Sequence, residues 1–367
     1  MIPAALAVIL LAQSQPTVDA SFAAARQMQQ QQRWPEAEQA YRTHIKRFGA
    51  TPEVLANLGA VLVREDKFTE AIASYQQALR AAPQLTPIHL NLGLAYMKSG
   101  NPAAAAQSFT AFLSKHPDHR QARQLRAMAL LDAGKNNEAA ADYQSLLPSD
   151  DITIRLGLAS ALSREGKAEE ARALLEPLLA SDSPDVQFVY GQALFEEGSY
   201  VKALEVLQQV QKAKPDAPQL SFYLGAIYWR QQRTDDAIAA WRKELDANPG
   251  SFQSNYTLGA ALAFGGPPTS KEAEQHLRKA LQLKPQHPQT LYQLGKILWT
   301  RSKSPEAVTL LERAAKNQPD YREVHYLLAS VYQTLGRRAD AQREFAVVKK
   351  LSEAEVQKSR DLFEEGK

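Results

Sequence analysis

The sequence has no cysteine among its 367 residues. This absence excludes disulfide bonds, thiolate metal sites, a cysteine nucleophile and lipid attachment to an N-terminal cysteine. The sequence also lacks an excess of charge of one sign, because it contains 43 Lys and Arg and 40 Asp and Glu. No run of basic residues occurs. The net charge of +3 therefore predicts no nucleic-acid partner.

The sequence motifs that carry enzyme chemistry are missing too. There is no Gly-rich phosphate loop, no G-x-S-x-G turn and no H-E-x-x-H helix. Only two of the seven histidines are close in sequence, at His116 and His119. A metal site needs three or four converging ligands. The sequence therefore predicts neither an enzyme nor a metal or cofactor site.

Long apolar runs are confined to the N-terminus, at residues 2–12. A bilayer needs about 20 apolar residues, so no membrane span is predicted. The run and the small-x-small triplet Ala12-Gln13-Ser14 resemble a secretory signal covering residues 1–14, which predicts a periplasmic or secreted protein. However, no Lys or Arg precedes the run. A hydrophobic start of the first helix in a cytoplasmic protein is the alternative.

What the sequence does contain is a repeat. Gly59 and Gly93 are 34 residues apart, and prolines and alanines recur in step with such glycines. The recurring glycines continue at Gly191, Gly225, Gly259 and Gly295, the prolines at Pro83, Pro117, Pro215, Pro249, Pro285 and Pro319, and the alanines at Ala71, Ala105, Ala139, Ala171, Ala203, Ala237, Ala273, Ala307 and Ala341. A fixed period of this length indicates a repeat architecture.

Each repeat unit predicts a helical hairpin. Leu55, Leu58 and Leu62 are spaced as one face of a first helix. In the second helix, Ala71 shares a stripe with larger apolar residues, and small residues at a helix crossing let the axes approach. Pro83 then ends the second helix because proline lacks an N–H. One hairpin cannot bury both faces, so copies must stack.

This pattern resembles the tetratricopeptide repeat family, with about ten repeats over residues 18–350. The resemblance implies an all-α protein, an α-solenoid or superhelix of stacked antiparallel helix pairs over residues 15–350. It also implies a non-enzymatic scaffold for protein–protein interaction. Ser352 begins a Ser-Glu-Ala-Glu capping box, which predicts a separate C-terminal capping helix over residues 351–367.

Two segments depart from the pattern. In residues 145–185 the spacing shortens and Pro177 falls inside an expected second helix. This seam is either a change of curvature that could serve as a hinge or an irregularity without a role. Gly265-Gly266-Pro267-Pro268 is an insertion that lengthens a turn in the eighth repeat.

In this family the first helices of successive repeats line a concave groove. At the corresponding positions the second half of this chain carries eight aromatic residues, and Tyr223 lies beside them; these nine are here called the groove aromatics. They are Phe188, Phe195, Phe222, Tyr223, Trp229, Tyr256, Tyr292, Trp299 and Tyr326. Rigid aromatic side chains are frequent anchors of protein interfaces. The alternative is that these rings pack onto the neighbouring repeat as core.

The groove aromatics predict that a peptide segment of a partner protein is captured within residues 184–334. Two other functions stay open: self-assembly through the ends or convex faces of the array, and carbohydrate binding in the periplasm, because aromatic rings also stack on sugars. The carboxylate clamp known in the family is not predicted. Asn57 and Asn91 are suitably placed, but Ala56 and Ala60 stand where its cations should be.

Overall fold

The computed structural model describes residues 18–264 and 270–365. Within these ranges the chain forms twenty α-helices and no strand, as predicted for an all-α protein. The chain divides into two compact units, the first ending at Ser181 and the second beginning at Asp182. The predicted signal-like segment at residues 1–14 and the insertion at residues 265–268 lie outside the described residues.

The first unit is a stack of five helix pairs. Its helices are α1 (Val18–Gln30), α2 (Trp34–Phe48), α3 (Pro52–Arg64), α4 (Phe68–Ala81), α5 (Thr86–Lys98), α6 (Pro102–Leu113), α7 (Arg120–Asp132), α8 (Asn136–Ser145), α9 (Ile152–Arg164) and α10 (Ala168–Leu175). Each helix packs on the next, and first helices such as α3 and α5 also touch. The unit is therefore an α-solenoid of antiparallel pairs.

The second unit repeats this arrangement. Its helices are α11 (Pro184–Glu196), α12 (Tyr200–Ala213), α13 (Leu220–Arg230), α14 (Thr234–Ala247), α15 (Phe252–Phe264), α16 (Ser270–Leu283), α17 (Pro288–Thr300), α18 (Ser304–Asn317), α19 (Arg322–Thr334) and α20 (Arg338–Glu365). The odd-numbered members are the first helices of the pairs and the even-numbered members are the second helices. Buried Ala, Leu and Val side chains form the core between them.

Small residues let the two helices of a pair nest, as the sequence predicted. Gly59 faces the ring of Tyr75, and a Cβ atom added to Gly59 would lie 2.7 Å from Tyr75 Cε1. Ala71, which starts the stripe of α4, has no exposed surface. Because van der Waals contact between carbon atoms lies near 3.5–4.0 Å, only glycine permits this approach. The repeated small residues are therefore explained by contact between helices.

In the nine hairpins whose turn the structure describes, the turn contains one residue with positive φ. Gly100 and Gly134 fill this place with φ of 75° and 76°, but Asp66 and Gln232 do so with φ of 57° and 62°. After Asp66, the N–H of Lys67 donates to the Leu62 carbonyl at 2.9 Å, which closes the C-terminus of α3. A residue of positive φ followed by such a bond is the usual helix-ending motif.

The end of the first unit departs from the regular pairs of longer helices. The helix α10 is only eight residues long and ends at Leu175, and a 3-10 helix follows at Glu176–Ser181. Pro177 lies at the start of this 3-10 helix, where its missing N–H removes a bond that would continue α10. The boundary between the two compact units, after Ser181, also falls within residues 145–185.

The prediction of a separate helix beginning near Ser352 is wrong. The helix α20 runs without a break from Arg338 to Glu365, so Ser352 lies inside it. Residues 341–351 contain neither Gly nor Pro, and nothing in them stops a helix. A capping box requires a non-helical first residue, which Ser352 is not. Among the described helices, none is both long and apolar enough to cross a lipid bilayer.

Candidate functional site

The groove aromatics lie on first helices of the second unit. On α11, Phe188 and Phe195 are seven residues apart, about two helical turns, so both side chains leave the same side of the helix. Phe222 and Trp229 repeat this spacing on α13. Eight of the nine rings are partly exposed, and Tyr326 on α19 is 59% exposed. The rings therefore pack on the core and also present surface to solvent.

Four of the groove aromatics line one cavity of about 520 Å³, here called the main cavity. It lies across α11, α13, α15 and α17, and Trp241 of α14 also contributes. Its full lining is Phe195, Phe222, Ala226, Trp229, Arg230, Trp241, Tyr256, Thr257, Ala260, Ala261, Ala263, Phe264, Gln293, Lys296, Ile297 and Thr300. Alanines on α13 and α15 leave the space that the rings enclose. Pockets of about 300–1,000 Å³ accommodate small ligands or side-chain anchors.

Three rings of the main cavity differ in how firmly they are held. Trp241 is 2% exposed, and its Nε1 donates a hydrogen bond to the Phe222 carbonyl at 3.2 Å. Trp229 lies against Trp241, with ring centroids 6.0 Å apart. Phe264 packs edge-on against Trp229 at 6.1 Å but remains 82% exposed. The cavity therefore has a fixed aromatic wall and one strongly exposed ring at its rim.

A second cavity of about 410 Å³ adjoins the first along α17. The groove aromatics Tyr292 and Tyr326 line it, and Lys296 lines both cavities. Ser352 of α20 also lines it, which places the middle of that helix at the site. Tyr292 packs on Tyr321, with ring centroids 5.3 Å apart.

The other three groove aromatics, Phe188, Tyr223 and Trp299, line neither cavity. Tyr223 lies at the centre of a ring cluster, edge-on to Phe188, Phe195 and Phe222 at 6.1, 5.4 and 5.3 Å. Trp299 packs against the buried core of the unit. All three are partly exposed, as are most of the groove aromatics that line the cavities.

The structure adds residues that were not predicted. Trp241 lies on a second helix, and the groove pattern in the sequence concerns first helices only. Arg230 and Lys296 are not part of the predicted set because that pattern consists of aromatic residues. Lys296 had a signal, since it follows Tyr292 by four residues and so lies on the same face of α17.

The charges at the main cavity have one sign. Its lining includes Arg230 and Lys296 but neither Asp nor Glu. Burial raises the pKa of the Tyr256 phenol, so this group stays a neutral hydroxyl at physiological pH. Burial, assisted by the nearby Glu323 carboxylate, also raises the pKa of Tyr292. The site is thus an aromatic and alanine-lined cavity with positive charge at its edges.

The histidine pair noted in the sequence has structural contacts. Nδ1 of His119 accepts the Ala122 N–H at 3.1 Å and caps the N-terminus of α7. The His116 ring lies 4.6 Å from the ring of Phe112. In the parts of the chain that the structure describes, no three His, Cys, Asp or Glu side chains come together as metal ligands.

A smaller cavity in the first unit contains Asn57, one of the clamp positions examined in the sequence. It measures about 370 Å³ and is also lined by Ala60, as the sequence positions suggested. Arg26 and Arg64, from α1 and α3, supply positive charge there. The Arg64 guanidinium lies over the Trp34 ring at 5.8 Å.

Four sequence models described as tetratricopeptide repeat match the chain. One matches residues 22–86, 156–218, 202–252 and 223–288, which is more than half of the chain. The others match residues 58–129, 270–330 and 323–346. No curated protein is similar enough to this sequence to count as a match.

Two crystal structures show the same fold. A tetratricopeptide repeat protein from Parabacteroides merdae ATCC 43184 is 19% identical, covers 63% of this chain and 93% of its own, and has a TM-score of 0.54. The APC/C hetero-tetramer Cut9-Hcn1 contains a chain that is 13% identical, with 92% of this chain and 81% of that one covered, at a TM-score of 0.56. At these identities the similarity concerns the fold alone.

Proposed function

Because this chain belongs to the tetratricopeptide repeat family, whose fold typically serves as a non-enzymatic scaffold, we propose that it is a protein-binding adaptor without catalytic activity. In this proposal a peptide segment of a partner protein binds along the first helices of the second unit. The groove aromatics at the two cavities anchor the segment, and no cofactor takes part.

The observation that carries the proposal is the main cavity. A volume of about 520 Å³ suits one or two bulky side chains of a peptide. Phe264 exposes 82% of its surface at the rim, where a bound segment would cover it. An aromatic residue so exposed beside an apolar cavity is typical of a binding surface.

The size of the expected affinity follows from the area of the rings. Covering one large apolar side chain contributes about 1.5–3 kcal/mol before the costs of association are subtracted. Three anchors contribute at most about 9 kcal/mol before those costs, so a dissociation constant of about 1 μM, which corresponds to about 8 kcal/mol, requires further contacts along the bound segment.

The test uses the full chain and peptides selected on it from a phage-displayed random library. Ala260 lines the main cavity on α15, and Ala260→Trp would fill the space that an anchor needs. Ala239→Trp is the matched control, because Ala239 is an exposed alanine on the second helix α14. Fluorescence anisotropy gives the dissociation constants, and circular dichroism with urea unfolding checks the fold.

We expect Ala260→Trp to weaken peptide binding at least about tenfold, or 1.4 kcal/mol, while Ala239→Trp stays within about twofold. Equal binding by wild type and Ala260→Trp would overturn the proposal. If no peptide is selected, binding of envelope polysaccharide or a mass that rises with concentration in light scattering would favour the carbohydrate or the self-assembly function instead.

A further inference from the structure

The main cavity combines an apolar lining with two exposed cations, Arg230 and Lys296, and no acidic lining residue. We infer that its ligand is a peptide segment in which a bulky apolar side chain is flanked by Asp or Glu on both sides. This inference rests on the proposed function and specifies the chemistry of the partner segment.

Both cations at the main cavity are free to pair with a ligand. No described carboxylate forms an ion pair with Arg230 or Lys296. The guanidinium of Arg230 lies over the Tyr200 ring, 5.5 Å from its centroid, which leaves its edge available for hydrogen bonds. Glu196 follows Phe195 in sequence but does not line the cavity.

Two arginines elsewhere in the same unit are paired with carboxylates of the chain. Arg242 of α14 is paired with Glu272 at 2.9 Å, and Arg278 of α16 is paired with Glu306 at 2.6 Å. These pairs join the second helices of successive repeats. Arg242 and Arg278 are thus neutralised within the chain, whereas no described carboxylate is close enough to neutralise Arg230 or Lys296.

A carboxylate of a bound peptide could form an ion pair with either cation at the rim of the main cavity. Arg230 and Lys296 are exposed, so each ion pair with a bound carboxylate would contribute little more than about 1 kcal/mol. Charges at the rim of an interface mainly set specificity and the rate of encounter. Apolar anchors would then supply most of the affinity, and the two cations would select acidic segments over basic ones.

The spacing of the two cations limits the spacing of the acids. Arg230 is on α13 and Lys296 is on α17, with α15 between them. Taking about 8–10 Å between neighbouring helix axes gives a separation of about 16–20 Å between α13 and α17. An extended peptide advances about 3.3 Å per residue, so acids about five or six residues apart would meet both cations.

The experiment compares two phage-displayed libraries selected on the full chain. Both carry the same random apolar core and capped ends, but one is flanked by Asp and Glu and the other by Lys and Arg. The variant protein is Arg230→Glu with Lys296→Glu. Its matched control is Lys202→Glu with Lys279→Glu, exposed lysines on the second helices α12 and α16 that line neither cavity.

We expect the acid-flanked library to be enriched and its best peptide to bind the Arg230→Glu, Lys296→Glu protein about tenfold more weakly, as two exposed ion pairs at the upper end of their range allow. Replacing the acids of that peptide by lysines should restore binding to this variant, and the control variant should bind within about twofold of wild type.

Three outcomes would overturn the inference. The first is equal enrichment of both libraries, and the second is unchanged binding of the acid-flanked peptide by the charge-reversed variant. In both of these cases peptides still bind, so the proposed function survives without the acidic specificity. The third is enrichment of neither library, which overturns the proposed function together with the inference.

Discussion

The strongest test of the packing scheme is Gly225→Ala, on α13 beside the main cavity. A Cβ atom at this position would lie 2.6 Å from Nε1 and 2.8 Å from Cδ1 of Trp241. Both distances are far inside van der Waals contact, so the indole must move. Trp241 is 2% exposed and hydrogen-bonded to the Phe222 carbonyl, and it therefore has little room to move.

The magnitude combines three contributions. Alanine is better than glycine inside a helix by about 1 kcal/mol, which favours the variant. Overpacking costs about 1–3 kcal/mol. Displacing the indole also loses its hydrogen bond, which contributes about 1 kcal/mol. The free energy of unfolding should therefore fall by about 1–3 kcal/mol in Gly225→Ala despite the better helix former.

The assay is urea unfolding followed by tryptophan fluorescence and circular dichroism. Trp229, Trp241 and Trp299 all lie in the second unit, so fluorescence reports mainly on that unit. Gly250→Ala is the control, because its nearest neighbour is Asn248 Oδ1 at 3.6 Å and it should be neutral or stabilising by about 0.4–1 kcal/mol.

A second background isolates the cause. In Trp241→Ala the indole is absent, and Gly225→Ala should then no longer destabilise the protein. An equal loss of stability from Gly225→Ala in both backgrounds, or no loss in the wild-type background, would show that contact with the Trp241 indole does not require glycine at position 225.

Two further predictions concern the two ends of the chain. Burial opposes ionisation of Glu38, but hydrogen bonds from Lys67 and Arg42 at 2.6 Å outweigh it and lower its pKa to about 2. This folded-state pKa lies below the unfolded value near 4.5, so Glu38→Gln should lower the free energy of unfolding by about 1–3 kcal/mol at pH 7. The difference between wild type and variant should shrink as the pH falls from 5 to 3, because the carboxylate then becomes protonated in the unfolded chain. A difference that stays constant in urea unfolding across this range would contradict the prediction. Ser352→Pro should lower the free energy of unfolding by about 3 kcal/mol and reduce the ellipticity at 222 nm, since Ser352 lies inside α20. Unchanged stability and ellipticity would instead support a helix that begins at Ser352.

The repeat and its helical hairpins could be predicted from the sequence because each rule acts at a fixed spacing. Gly59 and Ala71 recur where helix axes cross, and Pro83 follows the end of α4 at Ala81. The prediction of a helix start at Ser352 was wrong, because a local capping pattern was present but nothing interrupted the preceding helix. The recurring glycines also did not reveal the residue of positive φ in the turn of each hairpin, because Asp66 and Gln232 adopt positive φ without being glycine.

The candidate site was predictable only in part. The spacing of Phe195, Phe222, Trp229 and Tyr256 placed them on one side of the first helices, and the structure brings these four around one cavity. The spacing did not show that Tyr223 packs edge-on against three other rings. How much of a ring stays exposed depends on the side chains of the neighbouring repeat, which periodicity along one helix does not report.

The sequence by itself determined the helical hairpin, its repetition and the side of each first helix that carries aromatic residues. These follow from spacings of three, four and 34 residues, which act along the chain and recur in most repeats. Only the tertiary structure decided that alanines of α13 and α15 leave a cavity between the rings and that Trp241 lines this cavity from a second helix. It also decided that Arg230 and Lys296 lie beside the cavity without an ion pair to any described residue. The physical reason is that a cavity and its charges arise from contacts between residues far apart in sequence, each of which occurs once.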